Sequence, residues 1–337
     1  MHQFLIIQTS FIGDVVLATA VMEKLHQHYP NAIIDILVRN GNESLLKGHP
    51  FIRKVLVWNK SASKSKNLLK LIQTVRSSHY THVINLHRFA STGLISFLSG
   101  AKYKAGFDKN PFSFCYNKKV KHVISEPYSL HPISETERNQ QIIADLTDKI
   151  PAFPALYPTS EDYARVRSLQ GQPYICIAPA SVWFTKQFPA QKWIALLDQL
   201  PSDHKIFLLG GRSDEQLAKS IISNSQHRNV SSLCGSLSFL QSAALMQGAV
   251  MNYVNDSGPL HFASAVHAPV TAVFCSTVPA FGFGPLRDNG RVVEIKEKLY
   301  CRPCGLHGHK VCPEGHFRCA LDIETKQLLW WTSNQIS

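Results

Sequence analysis

The chain has 337 residues, with 35 Lys+Arg against 23 Asp+Glu, a formal net charge of +12 with its 16 histidines neutral. At 45% hydrophobic and 17% charged, it is too apolar for a disordered, collagen-like or coiled-coil chain, and it is long enough for two domains. Eight cysteines in this length are too few for a disulfide scaffold.

The N-terminus lacks a cationic leader and a small-residue cleavage site, so Phe4–Gln8 reads as a first buried strand, not a signal peptide. Further strand-like runs follow at Ile33–Val38, Val55–Trp58 and His82–Leu86. Helical patterns at Val15–His28, Leu68–Ser77 and Ser91–Leu98 alternate with them. Such alternation predicts βαβ units and a parallel sheet covered on both faces. Pro151, Pro154, Pro158 and Pro173 then punctuate residues 149–173 around one short helical piece, Glu161–Leu169, which places a domain boundary there. The alternation restarts with strands at Tyr174–Ala178, Lys205–Leu209, Val250–Val254 and Val270–Cys275. The helices of this half are expected at Pro189–Leu200, Asp214–Ser223, Leu237–Gln247 and Leu260–Val266. The expectation is an α/β chain with two doubly wound domains, residues 1–160 and 161–321. No run of about 18 apolar residues occurs, so a soluble, cytoplasmic chain is expected.

The charge is uneven. Residues 1–160 hold 19 Lys+Arg against 10 Asp+Glu, and residues 161–337 hold 16 against 13. Much of the excess lies in Lys60, Lys64, Lys66 and Lys70 and in Lys102, Lys104, Lys109, Lys118, Lys119 and Lys121. A solvated surface and attraction to a polyanion, whether membrane or phosphorylated substrate, both fit. Nucleic acid is not expected as a partner, because few aromatics interleave with these lysines and no nucleic-acid-binding signature appears.

Ligands of doubly wound sheets bind at the carboxyl ends of the strands, so the loops there carry the chemistry. The first, Gln8-Thr9-Ser10-Phe11-Ile12-Gly13-Asp14, has one glycine, not the three of a dinucleotide fingerprint. Asp14 reads either as a helix cap or as a carboxylate able to take a proton from an attacking hydroxyl. After Tyr174–Ala178, Ser181, Thr185 and Lys186 suit phosphate oxygens. Gly210-Gly211-Arg212-Ser213-Asp214-Glu215 permits close backbone approach and puts acidic groups near a possible ribose. Asn255-Asp256-Ser257-Gly258-Pro259-Leu260-His261 reads as a helix start able to hold an anion. The three loops describe a pocket for a nucleotide diphosphate. G-x-x-x-x-G-K-[ST], H-E-x-x-H and G-x-S-x-G are absent. Near the C-terminus, Cys301, Cys304, Cys312 and Cys319 stand among His307, His309 and His316. A packed, reduced cysteine loop is expected ahead of a zinc site, because the second pair is spaced unlike a zinc ribbon or knuckle. Cys115, Cys176, Cys234 and Cys275 lie singly in apolar runs and are expected to be reduced and buried.

The segments Ser10–Asp14, Thr185–Pro189, Asn255–His261 and Thr277–Pro279, with the closing Cys301-Arg302-Pro303-Cys304 and Cys312–His316 runs, resemble glycosyltransferase family 9. The resemblance is to the ADP-heptose:lipopolysaccharide heptosyltransferases, nearest their heptosyltransferase II branch. It implies a GT-B architecture of two Rossmann-like domains facing a cleft, with residues 322–337 crossing back to the first domain. It also implies inverting transfer with neither metal nor cofactor, from ADP-heptose to the lipid A-Kdo inner core of a Gram-negative lipopolysaccharide, at the cytoplasmic face of the inner membrane. On that pattern Asp14 is the general base, and Lys186 is catalytic and also donor-binding. Ser181, Thr185, Asp256, Ser257, Gly258 and His261 complete the donor contacts, extended by Gly211, Asp214, Glu215 and Thr277. Ser10, Gly13, His87 and Arg88 fall to the acceptor. The chain departs from the family pattern in having Cys275 where glycine is common and Asn85 where aspartate is common.

Overall fold

A computed structural model describes residues 2–60 and 64–329. Contacts divide the described residues into two units, one comprising those up to Ile124 with Ile133–Tyr157, the other Ser125–Pro132 with those from Pro158 onward.

The first unit contains β1 (Gln3–Ile7), α1 (Ile12–His28), β2 (Ile33–Arg39), β3 (Ile52–Trp58), α2 (Lys64–Ser77), β4 (His82–Asn85), α3 (Ala90–Leu98), β5 (Tyr103–Phe107), β6 (Lys118–Val120) and α4 (Glu135–Ile143). Its six strands are parallel in the order β3-β2-β1-β4-β5-β6. The central strand β1 is apolar on both faces, as a strand covered by helices on either side must be. Leu5, Ile7, Leu37, Trp58, Val75, Val83 and Ile95 meet in one core.

The second unit contains α5 (Ser160–Val166), β7 (Tyr174–Ala178), α6 (Ala190–Leu197), β8 (Lys205–Leu208), α7 (Glu215–Asn224), β9 (Val230–Ser232), α8 (Phe239–Gln247), β10 (Met251–Asn255), α9 (Gly258–Ala265), β11 (Val270–Phe274), β12 (Gly290–Glu294) and α10 (Arg318–Leu321). Its parallel sheet has the order β12-β11-β10-β7-β8-β9, the same winding read from the other edge. In each unit the order reverses beside the first strand, between β1 and β4 and between β7 and β10. A crevice at the carboxyl ends of such a strand pair is where doubly wound folds take ligands.

Three details differ from expectation. The unit boundary falls at Tyr157/Pro158, inside the 149–173 segment, but Ser125–Pro132 joins the second unit, where Tyr128 donates its hydroxyl proton to Arg302 O at 3.3 Å and lies under Lys298. Residues 322–329 pack on the second unit, not the first, because Ile323 and Leu328 are fully buried in its core. Lys192 Nζ and the Tyr253 hydroxyl also bond the carbonyls of those two residues; residues 330–337 lie outside the described residues. Pro189 precedes α6 instead of opening it. No helix among the described residues is long and apolar enough to cross a membrane.

Candidate active site

In the second unit the loops leaving β7, β10 and β11 converge on one carboxylate. Lys186 Nζ lies 2.6 Å from Asp256 Oδ2, and the Thr277 hydroxyl donates to the same oxygen at 2.6 Å. Asp256 is almost wholly buried and Lys186 mostly so. The lysine is therefore held in one place by a carboxylate that itself has a second partner. Just before it, Asn255 accepts the Phe188 N–H at 2.9 Å and donates to Pro179 O at 2.8 Å, which ties the β7 loop to the end of β10.

Next comes the start of α9. Ser257 stands at its N-cap but gives no side-chain cap, its hydroxyl turning back to Asn255 O at 3.3 Å. The helix thus begins without the usual side-chain acceptor on its first N–H groups, in a position that favours an anion. His261 follows on α9, buried, with Nδ1 unpartnered among the described residues. Burial, opposed by Asp256 and reinforced by Lys186, pushes its pKa down to about 4, so the ring is neutral at pH 7.

Thr185 has a different place from the one the sequence suggests. Its side chain is buried; the hydroxyl takes the His309 N–H at 2.7 Å and a proton from the Ser276 hydroxyl at 3.0 Å. It therefore fastens the cysteine-containing loop to the β11 exit. Gly308 makes this approach possible: its φ is +77°, and a Cβ there would stand 2.9 Å from Thr185 Oγ1 and 3.0 Å from Lys186 Cγ. Arg302 completes the join, donating to Cys275 O and Thr277 O at 2.7 Å each and pairing with Glu294 at 2.6 Å. Arg302, Asn255, Ser276 and Gly308 were missed as positioning residues. The Cys-Arg-Pro-Cys run was the visible signal, but its cysteines drew attention from the arginine between them.

The other expected donor residues have local partners of their own. Asp214 accepts the Gly211 N–H at 2.8 Å in its own turn, and Glu215 pairs with Lys219 at 2.7 Å along the exposed side of α7. Ser181 uses its carbonyl to take Gln187 Nε2 at 2.6 Å.

In the first unit, Asp14 lies half-buried in the first turn of α1, whose N-cap is Phe11, so Asp14 is not the cap residue. Ser10 and Gly13 precede it in the same loop, and Ser10 O accepts a hydrogen bond from Asn42 Nδ2 at 3.1 Å. Lys60 reaches the same loop from the end of β3, donating to Thr9 O at 2.8 Å. Beyond β4, Asn85 accepts the His87 N–H at 3.0 Å and donates to the Tyr116 hydroxyl at 2.9 Å, so an amide performs the positioning at this departure from the family pattern. Burial lowers the His87 pKa to about 4, with Lys60 and Arg88 adding to the effect; His122 is lowered likewise by burial, then by Arg88, Arg138 and Lys109. After burial, the charges of Lys60, Arg88, Lys109 and Arg138 act in the same sense on these rings.

A second acidic group joins Asp14 among these cations. Glu135, at the start of α4, forms a buried ion pair with Arg138 at 2.8 Å, and Arg138 also donates to Ile133 O. Burial raises the Glu135 carboxyl, Arg138 opposes this, and the Asp14 charge raises it further, so the two carboxylates feel one another. Glu135, Arg138, Lys60 and His122 were not identified as site residues; the Ser134…Glu137 capping box was the available cue to α4.

The eight cysteines are free thiols. Cys115 is half-buried, not buried as expected, and of the C-terminal four only Cys319 is buried. Cys301 Sγ lies 3.8 Å from His316 Nε2, but among the described residues no three His, Cys, Asp or Glu side chains converge as a metal ion requires.

Two Rossmann-like units, one carrying a clamped lysine beside an anion-ready helix start and the other a carboxylate in a cationic edge, define a glycosyltransferase of GT-B fold. Residues 68–315 match glycosyltransferase family 9 (heptosyltransferase), and the chain belongs to that family. It is 27% identical over 281 residues to lipopolysaccharide heptosyltransferase 3 of Escherichia coli, covering 79% of this chain and 82% of that one. Lipopolysaccharide heptosyltransferase 2 of E. coli K12 is 21% identical, with 97% and 96% covered. The solved E. coli ADP-heptose heptosyltransferase II superposes with a TM-score of 0.78 at 19% identity over 98% of each chain. Identity is thus higher to the third transferase than to the second.

Proposed function

We propose that this heptosyltransferase moves heptose from ADP-heptose to an inner-core sugar of lipopolysaccharide with inversion, at the cytoplasmic face of the inner membrane. The observation that carries the donor assignment is the Lys186–Asp256–Thr277 cluster beside the open N-terminus of α9. Negative charge grows on the departing ADP in the transition state, and a lysine already fixed in position, with helix N–H groups aimed nearby, stabilises that charge without reorganisation. Ser257 and Gly258 would supply those N–H groups, Ser181 a further hydroxyl, and neutral His261 a donor or acceptor behind them. Thr185 would act by holding the loop, and Asp214, Glu215 and Gly211 would contact the ribose side.

Asp14 would remove the proton from the acceptor hydroxyl as its oxygen bonds to the anomeric carbon and the bond to ADP breaks. Lys60, His87 and Arg88 give its surroundings the charge that an acceptor rich in carboxylates and phosphates needs, with Ser10 and Gly13 shaping the loop. ADP release from ADP-heptose, measured with a Kdo-bearing acceptor and set against ADP- and UDP-linked hexoses, tests the reading. Turnover confined to a hexose donor would replace the donor assignment; nucleotide binding with no transfer to any acceptor would leave a binding protein.

A further inference from the structure

On the first unit, three phenylalanine rings stand together, two of them exposed and Phe112 half-buried between α3 and the crossover. Phe97 near the end of α3, with Phe112 and Phe114 from the β5–β6 crossover, form a triangle with centroid separations of 5.9, 5.7 and 5.9 Å. Phe97 is 44% and Phe114 66% exposed. The cluster is built, not incidental. Gly93 lets the crossover lie against α3, since a Cβ there would come within 2.9 Å of Phe112 Cβ and closer still to Asn110. Asn110 in turn anchors the crossover by donating to His87 O and Phe89 O.

The surroundings are cationic. Residues 89–124 contain six lysines and one aspartate. Lys109 precedes the crossover that carries Phe112 and Phe114, and Lys118 and Lys119 follow it at the start of β6. Lys102, Lys109, Lys119 and Lys121 are exposed. Solvent-facing aromatic rings within a lysine field, with almost no acid to balance it, match the boundary between headgroups and acyl chains of an anionic bilayer: rings enter the boundary and ammoniums meet lipid phosphates. A protein partner would have to present a matching acidic rim around an aromatic pocket, whereas an anionic leaflet offers both features everywhere.

We propose that Phe97, Phe112 and Phe114, with Lys104, Lys109, Lys118 and Lys119, form the surface by which the first unit rests on an anionic lipid bilayer. The placement suits the chemistry: α3 starts two residues after Arg88, and at about 1.5 Å per residue Phe97 lies roughly 10–15 Å along it from the acceptor loop. A lipid-linked acceptor would thus reach that loop without leaving its leaflet. The meaning of the patch rests on the proposed acceptor, but its test does not.

The full chain is sedimented with phosphatidylglycerol/phosphatidylethanolamine vesicles and with phosphatidylcholine vesicles. Binding to the anionic vesicles alone is expected. Phe97→Ser/Phe114→Ser should weaken it at least about tenfold, and Lys118→Gln/Lys119→Gln about fivefold per lysine with a flatter salt dependence. Both variants should keep turnover of a deacylated, soluble acceptor. Phe114→Trp should gain a blue-shifted emission on anionic vesicles above the wild-type background, a readout that survives if the double variant misfolds. Unchanged partitioning of a folded double variant, or no shift from the new tryptophan, overturns the proposal. Absence of ADP release by the wild type, with vesicle binding as described, would instead overturn the heptosyl reading and leave the membrane surface standing.

Discussion

Asp256 decides how Lys186 can act. A lysine at a strand exit is ordinarily a mobile, solvated charge, but here a buried carboxylate with a second hydrogen bond from Thr277 holds it. Truncating one member of a buried pair strands the other, so Asp256→Ala should cost about 3–5 kcal/mol in chemical unfolding of the second unit and weaken ADP binding. A loss below about 1 kcal/mol would show that Lys186 finds water or another partner instead. Asp14→Asn keeps the shape and removes the base. It should lower kcat by about 10²–10⁴ while ADP affinity stays near wild type, since nothing on the donor side changes. Equal losses in turnover and ADP binding would mean that Asp14 serves structure. Both residues were legible in the sequence because each lies between the end of a strand and the first turn of the helix that follows. Glu135 and Arg138 were not, because the polar stretch from Glu135 to Ile143 looks solvated until α1 is packed against it.

The loop from Cys301 to His316 is best understood as an element that completes the β11 exit. Its contacts run from Arg302 to the carbonyls of Cys275 and Thr277, from the Cys304 N–H to Ser276 O, and from the His309 N–H to Thr185. Gly308→Ala should therefore act on the donor site without removing a charged group. The left-handed backbone costs an added side chain about 1 kcal/mol, and the Cβ must also push Thr185 and Lys186 aside. A severalfold rise in the KM for ADP-heptose with a modest fall in thermal stability is expected. If the KM holds, the loop is only structural. Four strands absent from the sequence reading, β5, β6, β9 and β12, share a cause: all are three to five residues long at or next to a sheet edge, and β12 is also half-exposed with glycine and arginine at its start. Edge strands lack the unbroken apolar run that betrays a buried one.

Across the molecule, acid should act on both units. Burial brings His49, His87 and His122 of the first unit and His261 of the second to about 4. Such a ring stays neutral when folded, while its unfolded counterpart takes a proton below about pH 6.5. Stability is therefore lost as pH falls from there toward 4. Glu23 and Glu135, raised by burial, act in the opposite sense, so a single substitution isolates the effect better than the total slope. His49 packs edge-on to Phe51 and Tyr157 with Glu23 at 3.7 Å. His49→Gln should gain about 2 kcal/mol on the wild type between pH 7 and pH 5, read by chemical unfolding at each pH. Parallel pH dependences would show that His49 is already solvated.

By itself the sequence determined the tandem α/β organisation, the strand-end loops and the family, because apolar periodicity and short-range motifs are written in neighbouring residues. It also determined the excess of charge in the first half, though not its use. Only the tertiary structure decided that Thr185 is a fastener, that Asp256 governs Lys186, that residues 322–329 close onto the second unit, and that three phenylalanines from two elements meet among lysines. Each of these depends on contacts between segments far apart in the chain, and no local pattern encodes which buried polar group will find which partner.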